Sequence, residues 1–133
     1  MIVGFGMDLV EIARIARIVE GEPAHAERFL ARCFTSGERA YCDARRDRAG
    51  RYAARFAAKE AVSKCFSTGI GAELGWRSVS IYHGERHQPL VRLDEKAEAL
   101  LRQVGATHVH VTLSHTETVA MAVAILVDNR SRT

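Results

Sequence analysis

Asp8 near the start of the chain, and Glu60 and Lys64 four residues apart near its middle, carry charge in positions where it could act on a substrate. Glu60 and Lys64 fall in Arg51–Phe66, a run rich in alanine and free of Gly and Pro, which predicts a helix. At about 100° per residue they share one side of that helix with Phe56 and Ala57, so an acid and a base face the same way. Such an i,i+4 pair, taken alone, is a surface ion pair worth about 0.3–0.5 kcal/mol. Arg55 and Lys59 are expected to leave the helix on the other side, and Ala54, Ala57, Ala58 and Ala61 form a small-residue stripe against which another element can pack closely. Asp8, taken alone, is an ordinary residue at the end of a strand. Arg14 and Arg17, three apart, point outward together, which by itself describes a solvated helix face. His115 reads alone as a polar turn residue, and His108 and His110 share a strand face as partly exposed histidines. His83 and His87 flank a turn, and no role is assigned to them.

The elements that must position these groups follow from periodicity. Ile2–Leu9 alternates Ile2, Gly4 and Gly6 with Val3, Phe5 and Met7, a strand whose glycine face admits a close neighbour and which delivers Asp8 at its end. Glu11–Glu20 turns helical, with Ile12, Ile15, Ile18 and Val19 inward. A second helix is predicted over Ala24–Cys33, and a third after Thr35-Ser36-Gly37-Glu38, which has the form of a capping box. Asp43–Gly50 is a charge-rich break before the alanine-rich helix, which Thr68-Gly69-Ile70-Gly71 closes. Strands follow over Arg77–His83 and Leu90–Leu93 around a turn at Gly84–Pro89. Asp94 caps a helix whose Ala97, Leu100, Leu101 and Val104 face inward and which Gly105 stops. His108–Ser114 and Thr118–Val127 form an antiparallel hairpin joined by His115-Thr116-Glu117. The small face Ala120, Ala122 and Ala124 suits either a close subunit interface or a core. Helices and strands are segregated, so the fold class is α+β in a single domain over residues 1–133.

The 133 residues are 47% apolar and 26% charged, an ordinary globular composition. Val119–Val127, the longest apolar run, is far short of the roughly 20 residues of a membrane helix. The opening Met1-Ile2-Val3-Gly4-Phe5-Gly6 lacks the basic start and cleavage site of a signal peptide, so a cytoplasmic location is expected. Cys33, Cys42 and Cys65 are odd in number and never spaced C-x-x-C, and read as reduced structural thiols. A net charge of +3 and clustered arginines in the first half favour an anionic partner. Disorder is expected only over about the last five residues.

Taken together, three motifs resemble one family. Gly6-Met7-Asp8-Leu9-Val10-Glu11 with Arg14 is similar to the opening motif of the holo-acyl-carrier-protein synthases, short-chain 4′-phosphopantetheinyl transferases. Arg55-Phe56-Ala57-Ala58-Lys59-Glu60-Ala61, Lys64 and Thr68-Gly69-Ile70-Gly71 look like its central signature, and Leu113-Ser114-His115-Thr116 before an alanine-rich strand looks like its third. The motifs stand in family order and span nearly the whole chain. Ser67 stands where the family usually has glycine, and Cys65 where alanine is common. Ser67 is expected to be tolerated with a negative φ, since only a positive φ would penalise it strongly.

The resemblance implies the 4′-phosphopantetheinyl transferase fold, an antiparallel sheet with helices packed on it, in a homotrimer with the active site between subunits. It implies that Asp8 and Glu60 bind one Mg²⁺ together with the pyrophosphate of coenzyme A and water, a donor set that suits this hard cation. Lys64 would add positive charge to the phosphates, Gly69, Ile70 and Gly71 would lie against the nucleotide, and His115 would sit near a coenzyme A phosphate. Arg14, with Arg17 beside it, would meet a small acidic acyl carrier protein. The implied reaction transfers the 4′-phosphopantetheine arm to a carrier-protein serine and releases adenosine 3′,5′-bisphosphate, with no role for nucleic acid or membrane. Two alternatives stand beside it. One is a small basic nucleic-acid-binding module, for which Arg39–Arg55 supplies only the aromatics Tyr41 and Tyr52. The other is a carrier-protein-binding subunit without catalysis.

Overall fold

A computed structural model describes residues 1–130 of the chain. Strand β1 (Ile2–Glu11) runs directly into helix α1 (Ile12–Val19), followed by α2 (Pro23–Cys33), α3 (Ser36–Asp43) and the long α4 (Arg48–Cys65). A 3₁₀ turn (Trp76–Ser78) leads into a hairpin of β2 (Val79–His83) and β3 (Pro89–Leu93), then α5 (Glu95–Gln103), β4 (His108–His115) and β5 (Val119–Val127). The main sheet has the antiparallel order β1-β5-β4. The fold is α+β, as expected.

Helix α4 lies across the inner face of this sheet. Ala120, Ala122, Ala124 and Leu126 of β5 point into the core with Ala57, Ala58 and Ala61 of α4. The small face of β5 is therefore spent inside the chain. Small residues on both surfaces let the backbones approach closely. A Cβ on Gly6 would come to 2.9 Å from Lys64 Cβ and nearer still to the Ala61 carbonyl oxygen, so β1 cannot carry a side chain there. The opposite face of the sheet is uncovered. Phe5 is 71% exposed, Met7 53% and Leu9 57%. Beside them, Ile125, Val123 and Met121 pair with the same three residues and remain only partly buried.

Several boundaries differ from the sequence reading, each for a local reason. Helix α4 begins at Arg48, so Gly50 lies inside it and not in the break. Asp47 caps the helix by accepting from Gly50 N at 3.1 Å, and a Cβ at Gly50 would collide with that carboxylate. The strand expected from Arg77 begins at Val79, because Trp76–Ser78 forms a 3₁₀ turn in which Gly75 N donates to Ser78 Oγ. His115 ends β4, paired with Ala120, and is not a turn residue. The Thr35–Glu38 capping box and the Asp94 cap form as expected. Of the expected disordered tail, Asn129 and Arg130 are hydrogen-bonded, to Thr107 Oγ1 and to Asp128 and Gly105 O respectively, while residues 131–133 lie outside the described residues.

Candidate active site

Asp8 alternates with Gly4 and Gly6 along β1 and so faces α4, where Lys64 meets it. Lys64 Nζ donates to Asp8 Oδ1 and to the Met7 carbonyl, both at 2.9 Å. The lysine thus pairs with Asp8 across the sheet–helix seam and not with Glu60 along its own helix. Glu60, one turn earlier on α4, is half-buried, and no described side chain or backbone group donates to its carboxylate. Burial, and then the negative charge of Asp8, hold its pKa above the usual carboxylate value; Lys64 and Arg14 oppose this. Two carboxylates therefore stand close enough to repel, with one of them lacking a donor. Among the described residues no group of three or more His, Cys, Asp or Glu could hold a metal. A cation here would take two carboxylates and fill its sphere with oxygens from water or substrate phosphate, a donor set that fits Mg²⁺.

Beside Glu60 opens a groove of about 880 Å³ between α1, α2 and the 3₁₀ turn. Its floor is Phe29, Phe56 and Trp76, with the last two rings stacked at 4.6 Å, and Arg14, Arg28 and Arg32 line it. Arg14 lies over Phe56, 5.6 Å from the ring centroid. Arg17 is exposed on α1 but does not line the groove. Arg28 and Arg32 were not singled out in the sequence, although their i,i+4 spacing on α2 was legible.

Around α4 from the acids lies a second, basic pocket of about 190 Å³, lined by Arg51, Arg55, His83, His87 and His115. Arg55 leaves the helix on the side away from the acids, as expected, and is buried there, only 2% exposed. Its Nη1 donates to the Arg51 carbonyl at 3.3 Å, its Nη2 stands 3.3 and 3.4 Å from the two ring nitrogens of His83, and its guanidinium covers Tyr41 at 4.2 Å. No carboxylate pairs with it, and both its Nε and that of Arg51 are buried without a partner. A buried charge so uncompensated is costly in the free protein and points to an anionic ligand. His115 Nε2 is 2.9 Å from Asp47 Oδ2 at the edge of this pocket. The available signal for Arg55 was that no acid lies three or four residues from it along the helix.

Lys59, on the same side of the helix, is buried as well. Its Nζ donates to Glu38 Oε1 at 2.7 Å, Trp76 O at 2.8 Å and Val79 O at 2.5 Å, while Glu38 Oε2 accepts from Ile81 N. Lys59 thereby ties α4 to the segment that follows the Thr68–Gly71 loop. In that loop Ser67 has φ +60° and Gly69 φ +63°, so the condition for an unstrained serine, a negative φ, is not met. The left-handed turn that ends α4 is imposed on a serine, which explains why glycine suits the position. A Cβ at Gly69 or at Gly71 would meet nothing within 4 Å, so both glycines border open space. Lys96 Nζ bonds the Ala72 carbonyl and anchors the outer loop.

A sequence model of the 4′-phosphopantetheinyl transferase superfamily matches residues 4–124. The chain belongs to this superfamily. The transferase is 52% identical over 126 residues to the holo-[acyl-carrier-protein] synthase of Anaeromyxobacter sp. (strain K), covering 95% of this chain and 96% of that protein. Its fold matches the Neisseria meningitidis holo-[acyl-carrier-protein] synthase with a TM-score of 0.85 at 28% identity, over 95% of this chain and 98% of that one. The Helicobacter pylori holo-[acyl-carrier-protein] synthase, solved in complex with coenzyme A, matches at 0.80 and 30% identity, over 92% and 98%. Among the described residues no helix is long and apolar enough to cross a membrane.

Proposed function

We propose that Asp8 and Glu60 hold the Mg²⁺ with which this enzyme transfers the 4′-phosphopantetheine arm of coenzyme A to a serine of an apo acyl carrier protein, releasing adenosine 3′,5′-bisphosphate. The observation that carries the metal assignment is the unpartnered Glu60 carboxylate beside Asp8, whose mutual repulsion a cation would relieve. When bound, the metal supplies Lewis-acid stabilisation of the charge that develops on the phosphate oxygens. Lys64, already held at Asp8, adds a positive charge at the same place. The Gly69–Gly71 backbone offers open loop surface to the nucleotide, and the Arg51–Arg55–His115 pocket receives one of its phosphates. The aromatic groove at Glu60 takes the carrier protein's end of the reaction, with Arg14, Arg28 and Arg32 facing an acidic partner and Arg17 farther out.

The two halves of this site sit on different sides of α4. Arg55 and Glu60 are five residues apart, hence about 140° around the helix. Tyr52, Phe56 and Lys59 are buried on the way round one side, and Ala54, Ala57, Ala58 and Ala61 on the other. One coenzyme A molecule joins an acid pair to a basic pocket more readily across two copies of the chain than around one helix. The exposed apolar face of β1 and β5 is a surface for such assembly, as a homotrimer. Gel filtration tests this, since a monomer of 14.7 kDa would contradict it. The activity is tested by intact mass after incubation of apo carrier protein with coenzyme A, with and without Mg²⁺. The arm should appear on the carrier only with the metal present, and transfer in its absence would remove the metal role of Asp8 and Glu60.

A further inference from the structure

Resting on the reading of the Arg51–Arg55 pocket as a phosphate site, we propose that His83 is its proton-linked ligand. In the free protein the ring is neutral and accepts from Arg55; when the anion binds, the ring takes up a proton and becomes a donor to it. The geometry for this is specific. Arg55 Nη2 stands 3.3 and 3.4 Å from the two ring nitrogens, so a neutral ring offers it an acceptor while a protonated ring, with an N–H on both nitrogens, offers none. The ring is clamped parallel to Tyr41, with centroids 4.4 Å apart and 9° between planes, so it cannot readily swing away.

The charges facing His83 come from several elements, and those that act most on the ring are positive. Helix α4 contributes Arg51 and Arg55; Arg45, just after α3, covers the Tyr41 ring at 3.9 Å; and the hairpin turn brings His87. From β4 comes His115, 2.9 Å from Asp47, and on its other side His83 borders a second hollow whose lining includes Glu38, Arg77, Arg92 and Asp94. Burial first, and then Arg55, Arg45, Arg51 and His87, hold the His83 pKa below the ordinary imidazole value. An anion seated among these groups reverses the sign of the local field, which favours the protonated ring. Proton uptake and anion binding must then strengthen each other reciprocally.

The sign follows directly. The ring's pKa is higher in the complex than in the free protein, so its contribution to affinity is fully present below the free value and is lost as pH rises through the bound value. Between the two values affinity falls by up to about tenfold per pH unit, since one proton is linked to one anion.

The test is an NMR titration of the His83 ring in the full chain, without anion and with sulfate, which carries no proton of its own in this range. The expected result is an upward shift of the His83 titration midpoint with sulfate. Affinity for sulfate should also rise toward low pH in the parent and flatten in His83→Gln, which keeps an acceptor for Arg55 but cannot take a proton. If sulfate and coenzyme A perturb the pocket while the His83 midpoint stays put, the inference on His83 is overturned and the phosphate pocket stands. If neither perturbs the pocket at all, both fall.

Discussion

If the acids of one chain act with the basic pocket of another, two inactive variants should repair each other. Glu60→Gln removes the acid half, and Arg55→Gln removes the anion anchor without leaving an acid unpaired, because Arg55 has no carboxylate partner. Each variant alone should lose at least about 100-fold in transfer rate, equivalent to roughly 2.7 kcal/mol of transition-state stabilisation. The two groups lie about 140° apart around α4 and about 7.5 Å apart along it, with buried side chains on both routes between them. When the two chains are co-expressed in equal amounts and purified through different tags, each site in a closed ring draws its acids from one copy and its pocket from the neighbour. In a trimer selected for both tags, one of the three neighbour pairs unites intact acids with an intact pocket, so activity should return to about a third of the parent value. Arm transfer to apo carrier protein, read by intact mass, measures it. Activity no higher than that of the single variants, in assemblies shown to contain both tags, would refute a site shared between copies.

Other outcomes follow from individual contacts. Because Glu60's pKa is raised in the folded state above its value of 4.5, its favourable contribution is complete below the unfolded value and fades as pH rises through the folded one. Glu60→Gln should therefore raise the melting temperature of the metal-free protein at neutral pH and abolish any further rise on adding Mg²⁺, as followed by thermal denaturation. Glu38→Gln leaves Lys59 buried without its counter-charge and should cost about 3–5 kcal/mol in urea denaturation, part of which the double variant with Lys59→Met recovers. Ser67→Gly should stabilise the chain by about 1 kcal/mol by relieving the positive φ, with transfer intact. Arg28→Glu should raise the Michaelis constant for carrier protein about tenfold while sparing that for coenzyme A. Arg14→Glu should act in the same direction, with an added effect on Glu60, which feels the Arg14 charge.

Much of the fold is legible in the sequence. Periodicity and composition located the α-helices and strands of the described residues to within a few positions, the Thr35–Glu38 box and the Asp94 cap marked helix starts, and the motif set carried the family. These are local properties: a cap or an alternation is written within a few neighbouring residues. What the linear chain left open was the direction of individual charges. Lys59 and Glu60 are adjacent, yet one is fully buried on Glu38 and the other opens to a groove. Lys64 chose Asp8 over the acid on its own helix. Ser67 took the left-handed turn because the packed end of α4 demanded it. Arg55 became a buried, unpaired cation because β2 and the turn after it closed over α4. Each outcome depends on which distant element covers a given side of the helix, and burial, which decides whether a charge is solvated, paired or left to wait for a ligand, exists only once those elements have docked.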